Sequence, residues 1–352
     1  MRMNRVLAWW VPVLVGLGMA ALPADSPARP RTEVEPVTIE VAKTQIEFRC
    51  GKNLVSRYVI DPEVAKPYFW PLNSPGGVPL TRGWPMEAAP AGGTKDHVHQ
   101  KSAWFCHGDV IPEGLELKQK VRGVEGVDFW SEAKGHGRIV CVKVGKAEQA
   151  RNHGQIVTHN EWQTADKVKI LDEVRTIHLV NLGDAQLFVV EIDLHASAMP
   201  ITFGDTKEGS FGVRIRDDLT EAKGKGVLTN AEGKVSEGKG GNKDMDGCWG
   251  VQSAWCDYSG PLAGGKAGLT VFADPDNPYP SCWHARGYGL LAANPFGRAK
   301  SGFPAMKGKT DLVKLAKGEH LKLRYGLLLH NGDVKEGKAA EHYKEFVALK
   351  KK

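Results

Sequence analysis

Val190 to His195 read VEIDLH, a stretch in which apolar and polar side chains alternate. Because successive residues of a strand point to opposite faces of its sheet, the alternation predicts a strand with one buried face. Glu191, Asp193 and His195 share the other face. That polar row is either solvated surface or a site.

Comparable alternation recurs along the chain, separated by turn-forming residues. The sequence holds 41 glycines and 20 prolines in 352 residues. A helical bundle would lose about 1 kcal/mol for each interior glycine, so this composition favours strands and loops. The predicted strands are residues 37–41, 138–144, 167–180, 186–195, 211–216, 269–273 and 321–329.

One segment predicts a helix, residues 338–349. Ala339, Tyr343, Phe346 and Val347 fall at i, i+4, i+7 and i+8 and form one apolar stripe. The stretch 222–247 is rich in glycine, lysine and other charged residues, which predicts a long surface loop. The expected fold is therefore all-β, a large antiparallel β-sandwich with a C-terminal helix.

Composition and charge exclude several classes of protein. Hydrophobic residues make up 41% and charged residues 25% of the chain, as in an ordinary globular protein, which excludes a fully disordered chain. The net charge of +6 comes from 47 basic and 41 acidic residues spread along the sequence. Nucleic acid is therefore not an expected partner.

Residues 1–24 have the layout of a secretory signal peptide. Two arginines precede an apolar run from Leu7 to Leu22, and small residues end the segment at Ala24. We expect an extended segment over 25–36 and a single sandwich domain over 37–352. No later window approaches 18 apolar residues, so we expect an exported protein, periplasmic or extracellular, with no membrane span in the mature chain.

The sequence contains six cysteines and no C-x-x-C pair. A zinc ribbon or a thioredoxin-like site is therefore not indicated. An oxidising compartment would permit disulfides. Buried free thiols explain the same residues equally well.

The first candidate cluster is the DHVH stretch at residues 96–99. In an extended segment His97 and His99 would project from one face, as two imidazoles must to grip one substrate or one metal ion. Three roles remain open for this pair. The histidines could carry out acid–base chemistry or hydrogen-bond a substrate, they could bind a divalent metal, or they could be ordinary structural histidines. No cofactor is otherwise predicted.

The second cluster reads FGDTKEGSFGVR over residues 203–214. Glu208 follows Lys207 in a glycine-bounded turn, and a carboxylate whose neighbours set its pKa can act as a base. Arg214 would orient an anionic or hydroxyl-rich ligand from the next strand. A solvated hairpin explains the same composition.

The third cluster joins aromatic rings to polar groups between Trp283 and Asn294. Such combinations bind sugars, because rings pack on the apolar faces of the sugar while polar groups take its hydroxyls. Histidine and arginine seldom lie together in a hydrophobic core unless they have a functional role, which favours a site here. Trp249 and Trp255 are expected in the core. The proposed members are Trp283, His284, Arg286, Tyr288 and Asn294.

Six stretches in order resemble an uncharacterised bacterial family, a domain-of-unknown-function group often labelled methane oxygenase PmoA. The match covers residues 37 to about 347, and it departs from the family at Gln100 and Lys101, where members tend to carry His-Arg. The stretches are DHVH at 96–99, WFCHGD at 104–109, GVDFW at 126–130, GDTKEG at 204–209, WCDYSG at 255–260 and WHAR through NPFG at 283–297.

The resemblance implies a supersandwich of the galactose-mutarotase-like kind. In such sandwiches a sugar lies on a concave sheet, and histidines and a glutamate carry out acid–base chemistry. The methane monooxygenase subunit of the same name is a membrane protein, so the label is not taken as an activity.

These observations predict a carbohydrate-active protein, first of all an enzyme that acts on a sugar or glycoside. The ligand would be a small molecule or an oligosaccharide. A non-catalytic carbohydrate-binding protein and a metal-dependent enzyme using His97 and His99 are the alternatives. The catalytic candidates are His97, His99, Glu208 and His284, and the substrate-binding candidates are Lys207, Arg214, Trp283, Arg286, Tyr288 and Asn294.

Overall fold

The VEIDLH stretch lies in a strand, Ala185–His195, of the computed structural model, which describes residues 34–236 and 247–349. Val190, Ile192 and Leu194 are buried, and the polar residues between them face the other side of the sheet. The predicted signal peptide and residues 25–33 lie outside the described residues.

Every strand pair in the described chain is antiparallel. The strands are β1 (Val37–Val41), β2 (Gln45–Cys50), β3 (Asn53–Val59), β4 (Tyr68–Leu72), β5 (Ala103–His107), β6 (Val110–Pro112), β7 (Arg138–Val144), β8 (Glu148–Gln149), β9 (His153–Gln163), β10 (Lys169–Asn181), β11 (Ala185–His195), β12 (Ile201–Phe203), β13 (Gly209–Arg214), β14 (Val227–Asn230), β15 (Trp255–Leu262), β16 (Gly265–Ala273), β17 (Cys282–Ala285), β18 (Leu290–Asn294), β19 (Val313–Leu315) and β20 (His320–Asn331).

These strands form two large sheets and one small one in the described part of the chain. The eight-stranded sheet has the order β1-β2-β3-β4-β5-β13-β18-β17. The nine-stranded sheet has the order β14-β15-β16-β20-β11-β10-β9-β7, with β8 paired to β9. The small sheet is β19-β12-β6.

The two large sheets pack face to face through aromatic side chains. The ring of Phe211 stacks 5.0 Å from that of Tyr325, and the ring of Phe105 lies 6.0 Å from that of Trp162. All four side chains are buried, and each contributes about 1.5–3 kcal/mol by leaving water. The predicted antiparallel β-sandwich is confirmed.

The helix α1 (Ala339–Ala348) packs on the outer face of the nine-stranded sheet. Phe346 is buried there, 5.5 Å from the ring of Phe272, and Ala339, Tyr343 and Val347 join the same apolar cluster. The predicted stripe and helix are confirmed. No helix among residues 34–236 and 247–349 has both the length and the apolar character needed to cross a membrane.

The structure also bears on the predicted loop over 222–247, on the cysteines and on two tryptophans. Within the predicted loop 222–247, residues 227–230 form the edge strand β14, and residues 237–246 lie outside the described residues. All six cysteines carry free thiols. Trp249 and Trp255 are buried in apolar clusters, as expected.

The polar row of β11 lies on the outer face of the nine-stranded sheet, where Glu191 and Asp193 line a pocket of about 390 Å³. Asp193 accepts a hydrogen bond from His320 at 2.7 Å, and the ring of His195 stacks on that of His320 at 4.1 Å. Glu191 lies 3.4 Å from Nε of Arg324. These contacts pair Asp193 with a histidine and Glu191 with an arginine on the outer face of the sheet.

Candidate functional site

The outer face of the eight-stranded sheet carries the candidate site, and small residues make room for it there. Gly212 lies in register with Trp104 on one side and with Ala292 on the other. A Cβ atom at Gly212 would lie 2.8 Å from Cζ2 of Trp104 and 3.2 Å from Cη2 of Trp130. Glycine is needed because the two indole rings cross this position.

A cleft of about 560 Å³ opens above these rings. It is lined by segments far apart in sequence, which the antiparallel sheet brings to one place. The lining residues are His97, His99, Gln100, Gly108, Val124, Asp128, Trp130, Ser131, Thr206, Lys207, Glu208, His284, Arg286 and Tyr288.

The histidine pair of residues 97–99 sits in a turn, which corrects the expected extended segment. The amide of Gln100 donates to the carbonyl oxygen of His97 at 2.9 Å, and His97 has a φ of 44°. The turn still brings the two imidazoles together, with ring centroids 5.6 Å apart. The His97 ring also lies 5.4 Å from the ring of Tyr288.

Arg214 lies behind this turn and outside the cleft lining, which corrects its expected role in binding the ligand. Its side chain is fully buried, and it donates to Oε1 of Gln100 at 2.5 Å and to Oδ1 of Asp96 at 2.9 Å. Its guanidinium also lies 4.6 Å from the centre of the Tyr288 ring. Arg214 therefore holds the cleft wall in place.

The turn of Lys207 and Glu208 is held by backbone contacts. The amide of Gly108 donates to the Glu208 carbonyl at 2.7 Å, and a Cβ atom at Gly108 would lie 2.9 Å from Cβ of Glu208. Nζ of Lys207 lies 3.3 Å from Oε1 of Glu208. Both side chains reach the cleft.

Asn294 does not line the cleft, contrary to its expected role as a substrate-binding residue. Its amide nitrogen donates to the Thr206 carbonyl at 2.9 Å, and its side-chain oxygen accepts from the amides of Phe296 and Gly297. With both ends occupied by backbone, this buried side chain supports the Glu208 turn from below.

Strand β17 separates its neighbouring residues onto opposite faces. His284 faces the cleft, whereas Trp283 is fully buried on the core side and donates from Nε1 to the Ser253 carbonyl at 2.9 Å. The expectation that Trp283 binds substrate is therefore corrected. Arg286 and Tyr288 follow in the turn after the strand and return to the cleft.

The tautomer of His284 follows from its one backbone contact. Nδ1 lies 2.8 Å from the carbonyl oxygen of Lys207, so it must carry the proton and donate. Nε2 of the neutral ring is then an acceptor. Burial, together with the nearby Arg286 guanidinium, lowers the pKa of His284 to about 3, so this acceptor stays unprotonated at neutral pH.

The same environment shifts the pKa values of two other groups in the cleft. Burial and the nearby Lys66 ammonium lower the pKa of His99 to about 3. Burial raises the pKa of Glu208, and Lys207 opposes that rise. The cleft therefore combines neutral imidazoles with a carboxyl whose proton is held more tightly than usual.

The sequence interpretation missed the loop that carries Asp128 and Trp130. Oδ1 of Asp128 accepts from the amides of Trp130 at 2.7 Å and Ser131 at 3.0 Å, and its other oxygen accepts from the Ser131 hydroxyl. Aspartate commonly closes turns in this way, so the GVDFW stretch contained a usable signal. Trp130 lies 2% exposed beneath the imidazoles of His99 and His284.

The histidine pair does not belong to a larger cluster of metal-ligating side chains in the described residues. Within residues 34–236 and 247–349, no three or more histidine, cysteine, aspartate or glutamate side chains converge as a metal would require. His97 and His99 lie close to each other, and the nearest carboxylate to His97, that of Asp96, is held by two arginines.

Several solved structures share similarity with most of this chain. A putative aldose 1-epimerase from Escherichia coli K12 is 12% identical with a TM-score of 0.40, over 84% of this chain and 99% of that one. Galactose 1-epimerase from Lactobacillus acidophilus NCFM is 8% identical with a TM-score of 0.37, over 85% and 99%.

A Glycoside Hydrolase Family 97 enzyme from Pseudoalteromonas sp. strain K8, in complex with panose, is 9% identical with a TM-score of 0.38. That match covers 78% of this chain and 34% of the hydrolase, so the chain spans about a third of it. No curated protein matches the sequence. A family model matches residues 45–344, and the chain therefore belongs to the family of unknown function DUF6807.

Proposed function

We propose that this protein is a carbohydrate-active enzyme that binds a sugar in the cleft and uses Glu208 as its acid–base group. The observation that carries the proposal is that Glu208 lines the same cleft as His284, whose Nδ1 is held by the Lys207 carbonyl so that Nε2 is an acceptor. Asp128, the other described carboxylate of the lining, is already occupied by three donors.

The remaining lining residues suit a sugar. Tyr288 offers a partly buried ring, on which the apolar face of a sugar can pack. His284 accepts a hydroxyl hydrogen without carrying charge, and His99 is neutral as well. Polar contacts of this kind fix the orientation of a hydroxyl-rich ligand.

Glu208 has the properties of a proton-transfer group. A base works best when its pKa is close to the pH at which it operates, and burial moves this carboxyl in that direction. As carboxylate it would take a proton from a sugar hydroxyl, and as acid it would return that proton to a sugar oxygen. Lys207, 3.3 Å away, would stabilise the carboxylate form that Glu208 has before the first step and after the second.

The experiment that tests this proposal is a screen of monosaccharides and oligosaccharides with product analysis. Mass spectrometry detects cleavage, and proton NMR detects anomer exchange, which leaves the mass unchanged. We expect Glu208→Gln to lower turnover about 10²- to 10⁴-fold, the usual contribution of an acid or base, while sugar binding persists. His195→Gln, on the outer face of the other sheet, is the matched control and should leave both unchanged.

Two outcomes of the same screen would replace the proposal. Sugars that bind but are never altered would favour the non-catalytic carbohydrate-binding protein. Activity that is lost on chelation, and restored by a divalent metal, would favour the metal-dependent enzyme. Full activity of Glu208→Gln would remove Glu208 from the mechanism.

We also propose that the protein acts outside the cytoplasm, on the strength of the signal-like residues 1–24. N-terminal sequencing of the mature protein should begin near Asp25, and an intact Met1 in the membrane fraction would contradict this. That the protein belongs to a family labelled PmoA remains a prediction made from the sequence motifs. We propose no oxygenase activity.

A further inference from the structure

Two of the six cysteines bound one short segment of the chain. Cys256 is the second residue of β15, and the segment from Cys248 to Cys256 has nine residues, counting both ends. Strand β17 holds the middle of this segment, because the amide of Gly250 donates to the Trp283 carbonyl at 2.7 Å and the Trp283 amide donates to the Val251 carbonyl at 3.0 Å. Strands β15 and β17 therefore set the positions of both cysteines.

The two cysteines meet beside one backbone carbonyl group. The Cys248 thiol donates to the Lys234 carbonyl oxygen, with Sγ 3.7 Å from it. The same oxygen accepts from the amide of Asn230 at 3.0 Å, and Asn230 lies directly opposite Cys256 in the register of β14 and β15. The two thiols also hydrogen-bond each other. Oxidation joins pairs of sulfur atoms that lie this close without moving the backbone far.

Burial decides when the two thiols can react. Both side chains are fully buried in the same apolar cluster. Burial, and next the hydrogen bond with Cys248, raises the pKa of the Cys256 thiol. Because the thiolate is the form that attacks a disulfide, the folded and reduced pair reacts slowly. Oxidation therefore takes place while the segment is still open, during folding or a local opening.

We propose that Cys248 and Cys256 are a modification site, at which the two thiols become a disulfide when the chain folds in an oxidising environment. The oxidant is the disulfide of another molecule, such as oxidised glutathione or a thiol oxidoreductase. One cysteine thiolate attacks this disulfide and releases a first thiol, and the other cysteine then attacks the mixed disulfide and releases a second. The two cysteines lose two protons and two electrons, which the oxidant takes up as two thiols.

The disulfide would strengthen a part of the chain that lies behind the candidate cleft. Trp249 follows Cys248 directly, and its ring lies 5.1 Å from the ring of His284. Closing a loop of nine residues reduces the conformational freedom of the unfolded chain and thereby favours the folded one. The disulfide is independent of what the cleft binds.

Peptide mapping without reduction tests the link in the full chain. The reduced protein is equilibrated in glutathione buffers of increasing oxidised fraction, with urea below the unfolding midpoint so that the segment can open. Free thiols are then alkylated in denaturant. Trypsin leaves both cysteines in one peptide, residues 244–266, which we expect to escape alkylation and to lose the mass of two hydrogen atoms. Chymotrypsin, which cuts after Trp249 and Trp255, should leave two fragments that separate only on reduction.

Variants separate the disulfide from the general effect of losing a buried thiol. In the unmodified chain the oxidised form should melt about 5 °C above the reduced form, as a loop of this size provides. Cys248→Ala and Cys256→Ala should each abolish this difference. Cys282→Ala removes a fully buried cysteine of the neighbouring strand β17, and this matched control should retain the difference.

Three results would overturn the proposal. The first is alkylation of both Cys248 and Cys256 at every glutathione ratio, and the second is a link from either of them to Cys282 or to another cysteine. The third is a melting difference in Cys248→Ala equal to that of the unmodified chain, which would assign the stabilisation to another pair. The peptide map of the unmodified chain decides the question even where a variant fails to fold.

Discussion

Arg214 and Asp96 are 118 positions apart in sequence, and Nη2 of the arginine lies 2.9 Å from Oδ1 of the carboxylate. Arg82 donates to the same oxygen at 2.6 Å and also to the carbonyl oxygens of Asp96 and His97. Burial alone would raise the pKa of Asp96, but Arg214 and Arg82 lower it. Strand β13 thereby fixes the turn that carries the histidine pair.

Replacing Arg214 by lysine should disturb the cleft through this turn. Lysine keeps the charge but cannot donate to Gln100 and Asp96 in the same fork geometry. We expect KM for the sugar to rise about 10-fold, the effect of losing about 1.4 kcal/mol, with a smaller change in kcat. Steady-state kinetics on the sugar identified by the screen would measure both.

The control for this variant lies two residues further along the chain. Arg216 is partly exposed and pairs with Asp218, so Arg216→Lys should leave KM unchanged. Equal kinetic effects of the two substitutions, or a loss of folded protein with unaltered KM in the remainder, would show that Arg214 does not position the turn.

Gly212→Ala tests the crowded floor of the cleft. The added methyl group must displace the indole of Trp104 or Trp130, since it would lie 2.8 Å from the first and 3.2 Å from the second. Overpacking of this kind costs about 1–3 kcal/mol. Gly76→Ala, whose nearest neighbour would be 3.5 Å away, should cost much less. Urea denaturation of both variants checks this, and equal stability would argue against a rigid floor.

Strands could be predicted from the alternation of apolar and polar residues wherever one face of the strand is buried and the other is exposed to solvent. Strands β1 and β7 begin and end at the residues predicted from alternation. Strand β14 was missed because its segment is rich in glycine and lysine. Its pairing with β15 supplies the stabilising hydrogen bonds. Pairing between segments that are distant in sequence cannot be predicted from local composition.

The chemistry of the candidate site could be anticipated in part. Residue types alone selected His99, Glu208 and His284, which line one cleft. Trp283 was misassigned because alternation tells which residues share a face, whereas the sheet packing decides which face is buried. Asn294 was misassigned because a buried amide that bonds backbone has the same residue type as one that binds a ligand.

Asp257→Asn should destabilise the fold without touching the cleft. Asp257 and His330 are fully buried, and Nε2 of the histidine lies 2.8 Å from Oδ2 of the carboxylate, which also accepts from Thr270. Removing one charge of a buried pair costs about 3–5 kcal/mol because its partner remains buried. Chemical denaturation would measure the loss. A change below about 1 kcal/mol would indicate that His330 is neutral in the folded protein.

Acidification should destabilise the protein through histidines whose pKa values are lowered in the folded state, among them the buried His107 and His284. His107 is fully buried with Nε2 at 2.8 Å from the Gly204 carbonyl, and burial lowers its pKa to about 4. The pKa of His284 is lowered to about 3, by burial and Arg286. In the unfolded chain both imidazoles titrate near about 6.5, so below that pH the unfolded state binds more protons.

The sign and size of the effect follow from this difference. The contribution is fully present above about pH 6.5, and each histidine removes up to about 1.4 kcal/mol of unfolding free energy per pH unit below it. His330 contributes with the opposite sign, because Asp257 raises its pKa against the effect of burial. Its stabilising contribution is lost as the pH rises through the raised pKa of the folded state.

Urea denaturation at pH 7.5, 6.5 and 5.5 measures the net slope. His107→Gln should reduce the slope by the share of one histidine, whereas His195→Gln, on the surface, should leave it unchanged. A pH slope that is the same in His107→Gln as in the unmodified chain would contradict the buried neutral state of the His107 imidazole.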